Sequence, residues 1–388
     1  MREESSPLRL ALAGMIGLAV AMGLGRFVFT PILPGMMEGL GLSAFAAGLL
    51  ASANYLGYLL GAILAAGAWA QGRERALVLA ALFATAVLLA AMGVGSSLAL
   101  FILVRFLAGV ASAFALVFFS AIVLARLVPA GKQGLGALHF GGVGLGIAVS
   151  SAMIGLLVTL GGDWRQGWYW SGLLALGGAV LVAGLVGRAA AAPAGRAPEP
   201  ALPRSPSLRA MILAYGLFGF GYIVTATFLV AIVRQGDGGR LFEAAVWFAT
   251  GLAGIPSVWL WNRVARACGS FAAFALGCAV EAAGVLASVL VPGAAGPLLG
   301  GVLLGGTFIA VTSLGLFLGR RLAGPAPRRA LALMTAAFGL GQVIGPLVAG
   351  RLADWTGDFV VASVVAAAVL LGAAAVALAA RGREAPPD

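Results

Sequence analysis

The amino-acid sequence predicts an all-α polytopic membrane protein with twelve transmembrane helices, and three observations support this fold class. Hydrophobic residues fill 62% of the 388 positions and charged residues only 10%, whereas soluble domains are roughly 45–50% apolar. The apolar residues form long continuous runs, which predicts helices and excludes the alternating pattern of a membrane β-barrel. The 59 glycines favour close packing, because small residues let helices approach one another within a bilayer.

Charged residues, prolines and glycine clusters divide the chain into predicted spans of about 20 or more residues, enough to cross a bilayer. These are residues 8–34, 44–69, 76–94, 97–126, 134–160, 167–187, 208–233, 242–263, 271–291, 295–319, 329–352 and 358–380. The segment RAAAAPAGRAPEPALPRSPS after the sixth span is rich in proline and has no apolar pattern. We therefore predict a six-helix bundle over residues 1–188, a linker over 189–207 and a second six-helix bundle over 208–388.

The distribution of basic residues predicts the orientation of the chain. Most of the 24 lysines and arginines fall in alternate loops that include both termini, and only Arg165, Arg234, Arg240 and Arg351 fall in the opposite loops. Cytoplasmic loops carry the excess of Lys and Arg, so both termini and the linker are predicted to be cytoplasmic, in a bacterial inner membrane. The net charge of +11 follows from this orientation and does not indicate nucleic-acid binding.

The two predicted bundles share a sequence pattern. The segment GLGRFVFTPILP of the first span aligns with GFGYIVTATFLV of the seventh. Two glycines, one valine and one leucine coincide, and Tyr222 takes the position of Arg26. This alignment, together with the central linker, predicts two pseudo-symmetric halves.

Several motifs occur in an order that resembles the major facilitator superfamily (MFS). They are the basic loops GAWAQGRER and VWLWNRVAR, the segment RFLAGVASA of the fourth span and GLGQVIGPLVAGRLADWTG of the eleventh. The segments GLGRF, TPILP and ANYLGYLLGA resemble the YbfB/YjiJ-like bacterial permeases within it. The resemblance implies an MFS fold, a central solute site, alternating access and coupling to protons. In the basic loops Gln71 and Asn262 replace the aspartate that the superfamily places there.

Arg26 and Arg105 are the two arginines that lie deep within predicted spans, eight residues from the nearer end of the span. A charge at the centre of a bilayer costs from ~3 to over 10 kcal/mol, so such residues face a cavity or a partner. A guanidinium keeps its charge and fits carboxylate or phosphate. We therefore expect both to point into a watery central cavity and to bind an anionic or zwitterionic solute. The alternative is structural, with Arg26 bonding carbonyls beside the Thr30–Pro31 break and Arg105 acting in helix packing.

Neutral polar residues on the spans that line the cavity in this fold complete the predicted substrate site. They are Asn54, Tyr55, Tyr58, Tyr222, Thr225 and Gln342. Tyr222 is expected to face Arg26 across the pseudo-twofold axis. The alternative for each residue is a hydrogen bond between helices.

His139 and Glu281 are the candidates for carrying a coupling proton. His139 is the one histidine of the chain, and an imidazole titrates near neutral pH. Glu281 lies in the middle of the ninth span, where a carboxyl group is unusual. The alternatives are a hydrogen-bonded structural histidine and a buried, neutral or paired carboxyl group.

These residues favour a transporter over other membrane proteins. No GxxxxGK[ST] loop for ATP occurs, and we expect no cofactor and no metal site. A membrane-embedded enzyme would need clustered acids or histidines, which the sequence lacks. Uptake of an organic anion and proton-coupled efflux of a drug or metabolite both remain open, and the missing proline in GGVGLGIAVSSAMIG favours uptake. We expect a monomer in the lipid bilayer with a small-molecule substrate.

Overall fold

The computed structural model describes residues 6–186 and 200–381, and the described residues form helices and short connections without strands. The α-helices are α1 (Pro7–Leu18), α2 (Phe29–Leu40), α3 (Ala44–Ala65), α4 (Glu74–Val94), α5 (Leu98–Leu127), α6 (Gly136–Thr159), α7 (Trp164–Leu185), α8 (Pro206–Arg234), α9 (Gly239–Gly254), α10 (Ser257–Cys268), α11 (Ser270–Leu290), α12 (Ala295–Leu322), α13 (Pro327–Thr356) and α14 (Val360–Arg381). Of the predicted linker over 189–207, residues 189–199 lie outside the described residues. Its role as a linker stays a prediction.

Within the described residues, eleven helical segments are long and apolar enough to cross a membrane, or twelve if α9 and α10 form one span. The sequence predicted a single span over 242–263, but the structure bends there by 50° between α9 and α10. Pro256 lies at the bend and has no backbone N–H to continue the hydrogen bonds of α9. The chain is therefore an all-α polytopic membrane protein, as predicted.

The first span is interrupted in its middle. A π-helical turn over Ala19–Leu24 follows α1, and residues 25–28 form a turn with irregular hydrogen bonds before α2 begins. The sequence predicted that this span ends at residue 34, but α2 continues to Leu40. It stops at Gly41, whose φ of 64° is the left-handed conformation that ends many helices.

Helices α1–α7 form the first half of the molecule and α8–α14 the second half, and their contacts show the pseudo-symmetry. The second span of each half packs against the fifth span of the other, as α3 against α13 and α9 against α6. Thr30 Oγ1 donates a 2.6 Å hydrogen bond to the carbonyl oxygen of Ala226, its counterpart 196 residues later in the aligned segment. Glu38 and Arg234 form an ion pair with the same separation of 196 residues. Equivalent residues meet only near a twofold axis, so α2 and α8 lie beside it.

Glycines allow the backbones of the two halves to approach closely. A Cβ atom at Gly48 of α3 would overlap the carbonyl group of Pro346 in α13, and one at Gly350 would overlap Ala44. At the other seam, a Cβ at Gly251 of α9 would overlap the backbone of Ala148 in α6. Close backbone approach through small residues is the way in which helices associate within lipid.

We call the end of the bundle at which α1 begins and α14 ends the terminal face, and the opposite end the distal face. Ion pairs join the halves at the distal face, where Glu38 at the end of α2 bonds Arg234 at the end of α8. Asp354 of α13 accepts hydrogen bonds of 2.8 and 3.0 Å from the N–H groups of Ala44 and Phe45 at the start of α3. In this conformation polar contacts therefore link the halves at the distal face.

Candidate functional site

Arg26 lies in the irregular turn between the π-helical turn and α2, deep within the bundle. Its side chain is 2% exposed. The guanidinium carbon lies 4.2 Å from the centre of the Tyr58 ring and 4.9 Å from that of Tyr55. The Nε and Nη2 atoms have no hydrogen-bond partner among the described residues. Arg26 is therefore held against aromatic rings, while part of its N–H edge is buried without a partner among the described residues.

Arg105 contacts the backbone of the irregular turn that carries Arg26. The N–H of Thr30 bonds the carbonyl oxygen of Phe27, and the carbonyl oxygen of Arg26 accepts a long 3.5 Å contact from Arg105 Nη2. The structural alternative for Arg26 was a bond to carbonyl groups freed at this break. In the structure it is Arg105 that reaches such a carbonyl group.

Arg105 is enclosed as completely as Arg26. Its side chain is 1% exposed, and its guanidinium carbon lies 4.5 Å from the centre of the Phe29 ring. Nε and Nη1 have no partner within the described parts of the chain. Asn54 Nδ2 donates a 2.9 Å hydrogen bond to the backbone carbonyl of Arg105, which ties α3 to α5. Asn54 thus has the interhelical hydrogen bond that was the alternative to substrate binding, although its Oδ1 is unpartnered.

The environment of the two arginines differs from the watery cavity that the sequence predicted. Both side chains are buried in protein, and within residues 6–186 and 200–381 neither forms an ion pair with a carboxylate. The ion pairs of this part of the chain lie at the distal face, around Arg234 and Arg240. Two buried positive charges in the middle of the molecule therefore have aromatic rings and backbone oxygen, but no anion, as neighbours.

The second half contributes a tyrosine and a glutamine to the centre. Gln342 Nε2 of α13 donates a hydrogen bond to the hydroxyl group of Tyr222 in α8. Gln342 Oε1 and the hydroxyl group of Thr225 are buried and unpartnered among the described residues. Tyr55 and Thr227 join the halves through hydroxyl groups 3.3 Å apart. The centre thus combines unused donors on the arginines with unused acceptors on the amides.

The predicted site included Tyr222 but not the phenylalanines that form an aromatic array with it near the arginines. Phe27 lies 5.5 Å from Phe308 of α12, and Phe308 lies 5.9 Å from Tyr222 in a nearly parallel orientation. Tyr222 stacks in turn on Phe338 of α13 at 5.6 Å. Phenylalanines in a chain with 21 of them give no signal of a site, and only the adjacency of Phe27 to Arg26 pointed to one.

His139 lies away from this centre. It is fully buried near the start of α6, where its Nε2 lies 3.0 Å from the hydroxyl group of Ser120 on α5. A Cβ atom on Gly14 of α1 would overlap its ring. The histidine therefore packs among three helices of the first half.

Glu281 is also remote from the arginines. It is fully buried between α11 and α12, where its Oε2 accepts a 3.0 Å hydrogen bond from the hydroxyl group of Thr307. Its Oε1 has no partner among the described residues. Thr307 directly precedes Phe308 of the central aromatic array, so α12 connects Glu281 to the centre. The described residues contain no group of three or more His, Cys, Asp or Glu side chains that could hold a metal ion.

The arrangement of the helices is that of an MFS transporter fold, which two solved structures share. A crystal structure of a mutant of the nucleoside transporter NupG matches with a TM-score of 0.74 and 13% identity, over 96% of this chain and 99% of that chain. A bacterial homologue of the human lysosomal transporter Spinster, in an inward-facing and unoccupied conformation, matches with a TM-score of 0.70 and 14% identity, over 99% and 100%. At these identities the likeness concerns the fold and not the solute.

The family model described as "Uncharacterised MFS-type transporter YbfB" matches residues 18–378, and the chain belongs to this family. None of the curated proteins compared with the chain matches it. The resemblance drawn from the sequence motifs is thereby confirmed. The family and the fold are those of a membrane transporter.

Proposed function

We propose that the protein is a secondary transporter that moves a small organic anion or zwitterion by alternating access, with Arg26 and Arg105 at its solute site. The observation that carries this proposal is the pair of buried guanidinium groups without a carboxylate partner in the described residues. Arginine keeps its proton in proteins, so its charge must be compensated by its surroundings. Aromatic faces compensate only part of it, by about 0.5–2 kcal/mol per contact.

An anionic solute supplies the remaining compensation. A carboxylate forms short, charge-assisted hydrogen bonds to the edge of a guanidinium, in a geometry that lysine cannot match. The unpartnered oxygens of Asn54 and Gln342 accept hydrogen bonds, which suits an amine or hydroxyl group on the same solute. These atoms favour an anion or zwitterion over the lipophilic cation of the alternative efflux function.

The site lies between two pseudo-symmetric halves, and rocking of such halves exposes a central site to each face in turn. We propose that the terminal face is cytoplasmic in a bacterial inner membrane, since basic residues concentrate in its loops. The distal contacts then close the site on the outside.

Replacing Arg26 by glutamine is expected to weaken the binding of organic anions strongly. The loss of a charge-assisted hydrogen bond of ~1.5–3 kcal/mol corresponds to a roughly tenfold to hundredfold weaker affinity. We also expect the apparent melting temperature of the ligand-free protein to rise, because a buried unpaired charge is removed. Thermal-shift titrations of the purified protein with organic acids, amino acids and lipophilic cations measure both effects.

Arg263→Gln is the matched control. Like Arg26, Arg263 lies against an aromatic ring, with its guanidinium carbon 3.5 Å from the centre of the Trp259 ring. Unlike Arg26, it is exposed, and it lies on α10 of the second half. This variant should leave anion binding unchanged. Stabilisation by lipophilic cations alone, with Arg26→Gln behaving like the wild type, would contradict the anion proposal.

Proton coupling is part of the proposal, and Glu281 is its favoured carrier because its unpartnered oxygen can hold a proton beside α12. Cys278, one turn earlier on α11, is its titratable neighbour. We expect Glu281→Gln, which mimics the protonated side chain, to make the conformational equilibrium independent of pH. Pulsed electron paramagnetic resonance (EPR) between spin labels at Thr159 and Asp237, both exposed at the distal face, measures this equilibrium through the range in which carboxyl and imidazole groups titrate.

Asp358→Asn, at an exposed acid, is the control and should keep the pH response of the wild type. Loss of the response in His139→Asn, with Glu281→Gln unaffected, would transfer the role to His139. A response retained in both variants would exclude both residues as the carrier.

A further inference from the structure

The rings around Arg26 restrict how a solute can approach its guanidinium group. Besides Tyr58 and Tyr55, the ring of Phe27 has its centre 5.7 Å from the guanidinium carbon. Three aromatic rings from two spans therefore lie against the group, while Nε and Nη2 remain unpartnered. A ligand bound to this N–H edge must therefore lie among aromatic rings.

The same aromatic surface continues into the second half. From Phe27 the contacts lead to Phe308, whose ring meets that of Phe27 edge-on at 71°. We call Phe308, Tyr222, Phe338 and Tyr215 the aromatic ladder. Successive ring planes in this ladder differ by 8°, 10° and 18°, with centres 5.9, 5.6 and 4.7 Å apart. These separations and angles are those of offset-stacked rings, the arrangement that aromatic pairs prefer.

We propose, on the basis of the anion transport proposed above, that the solute is an aromatic carboxylate. A carboxylate bound through both oxygens lies in the plane of the guanidinium, and in an aromatic acid the ring shares the plane of its carboxylate. The bound guanidinium, carboxylate and ring then form one flat unit. The rings of Tyr55, Tyr58 and Phe27 would flank such a unit, and Phe308 would meet its π face or edge.

Other anions fit these surroundings less well. An aliphatic acid has tetrahedral carbons beyond its carboxylate and no π face for the aromatic ladder. A sugar acid carries many hydroxyl groups, each of which must be hydrogen-bonded when it is buried, and the ladder offers them ring carbons. The few unpartnered neutral polar atoms nearby, such as Gln342 Oε1 and Thr225 Oγ1, suit one or two ring substituents.

An aromatic acid in this position also touches both halves of the protein. Its carboxylate is held by Arg26 of the first half, and its ring lies against Phe308 of the second half. Binding energy from both ends then favours the conformation in which the halves enclose the solute. A bound solute would therefore shift the equilibrium between the open and the enclosed conformations, and alternating access requires such a shift.

A set of three ligands tests this proposal and separates it from the anion proposal on which it rests. Benzoate, cyclohexanecarboxylate and benzamide are titrated into the full chain in lipid nanodiscs, and dissociation constants are obtained by calorimetry. Cyclohexanecarboxylate keeps the charge and the ring size but not the π system, and benzamide keeps the ring but not the charge. We expect benzoate to bind about tenfold more tightly than cyclohexanecarboxylate, as loss of aromatic contacts predicts, and benzamide not to bind measurably.

Equal affinities for benzoate and cyclohexanecarboxylate would overturn the aromatic proposal and leave the anion proposal standing. Equal affinities for benzoate and benzamide would overturn both proposals. The absence of binding by all three ligands would overturn the aromatic proposal alone, since an anion without an aromatic ring could still bind.

A variant pair on α12 provides an independent measurement. Phe308→Leu keeps an apolar side chain of similar size but removes the ring of the aromatic ladder that contacts Phe27. We expect it to weaken benzoate binding several-fold and to leave cyclohexanecarboxylate binding unchanged. Phe317→Leu is the matched control, because Phe317 lies on the same helix and is 53% exposed. An equal loss of affinity for both acids in Phe308→Leu would mean that the residue acts through packing, which would overturn its assignment as an aromatic contact of the solute.

Discussion

Valine in place of Gly305 is expected to prevent the protein from accumulating in a folded form, whereas valine in place of the adjacent Gly306 is expected to be tolerated. A Cβ atom on Gly305 would overlap the backbone carbonyl group of Thr250 in α9. A Cβ on Gly306 meets no atom of the described residues within 4 Å. Overpacking costs about 1–3 kcal/mol where side chains can adjust, and a helix backbone adjusts less than a side chain. The α12–α9 contact must therefore separate in the Gly305 variant.

The pair is informative because both variants change the same helix by the same side chain. The intrinsic cost of valine in a helix, below about 0.7 kcal/mol, is common to both, so any difference between them measures the contact with α9. The yield of monodisperse protein in size-exclusion chromatography and the apparent melting temperature provide the measurements. Equal yields and melting temperatures for the two variants would show that α9 does not pack on α12 as closely as described.

The spans and the pseudo-symmetry were predictable from the sequence because each depends on local or repeated patterns. Hydropathy determines where a helix can cross a bilayer, and the aligned segments placed α2 and α8 at equivalent positions. The hydrogen bond between Thr30 and Ala226 joins two positions of that alignment. Arg26 and Arg105 stood out for a related reason, since a charge within an apolar run is visible in any sequence.

Other features depend on contacts between distant segments and carry no local signal. The bend at Pro256 was missed because the apolar run continues through it. The π-helical turn before Arg26 and the neighbouring Arg105 contact arise from tertiary packing around the break. The aromatic ladder was invisible since stacking of Phe308 on Tyr222 joins residues of different spans. The roles of the predicted site residues stay predictions for the experiments above.

The last expected result concerns the distal ion pairs, in which Arg234 bonds two glutamates with different roles. Its Nη2 lies 2.6 Å from Oε2 of Glu243, which belongs to the same half and whose side chain is 5% exposed. Its Nη1 lies 2.5 Å from Oε1 of Glu38, which belongs to the other half and is 51% exposed. The first bond stabilises the second half, and the second bond closes the distal face between the halves.

Arg234→Gln is therefore expected to destabilise the protein and to open its distal face, whereas Glu38→Gln is expected only to open the face. Loss of Arg234 leaves the carboxylate of Glu243 buried without a cation. Breaking a fully buried pair costs ~3–5 kcal/mol, and we expect about 2–3 kcal/mol because 22% of the Arg234 side chain is exposed. Loss of Glu38 removes a half-exposed pair worth under ~1 kcal/mol, enough to shift a balanced conformational equilibrium several-fold.

Two measurements separate these effects. The apparent melting temperature should fall in Arg234→Gln and stay near the wild-type value in Glu38→Gln. Pulsed EPR distances between labels at Thr159 and Asp237, in a background with Cys268 and Cys278 replaced, should lengthen in both variants. Arg240→Gln is the control, since its 3.4 Å contact with Glu38 is long and its side chain is 59% exposed. Unchanged distances in Glu38→Gln would mean that contacts such as those of Asp354 with α3, and not the ion pair, close the distal face.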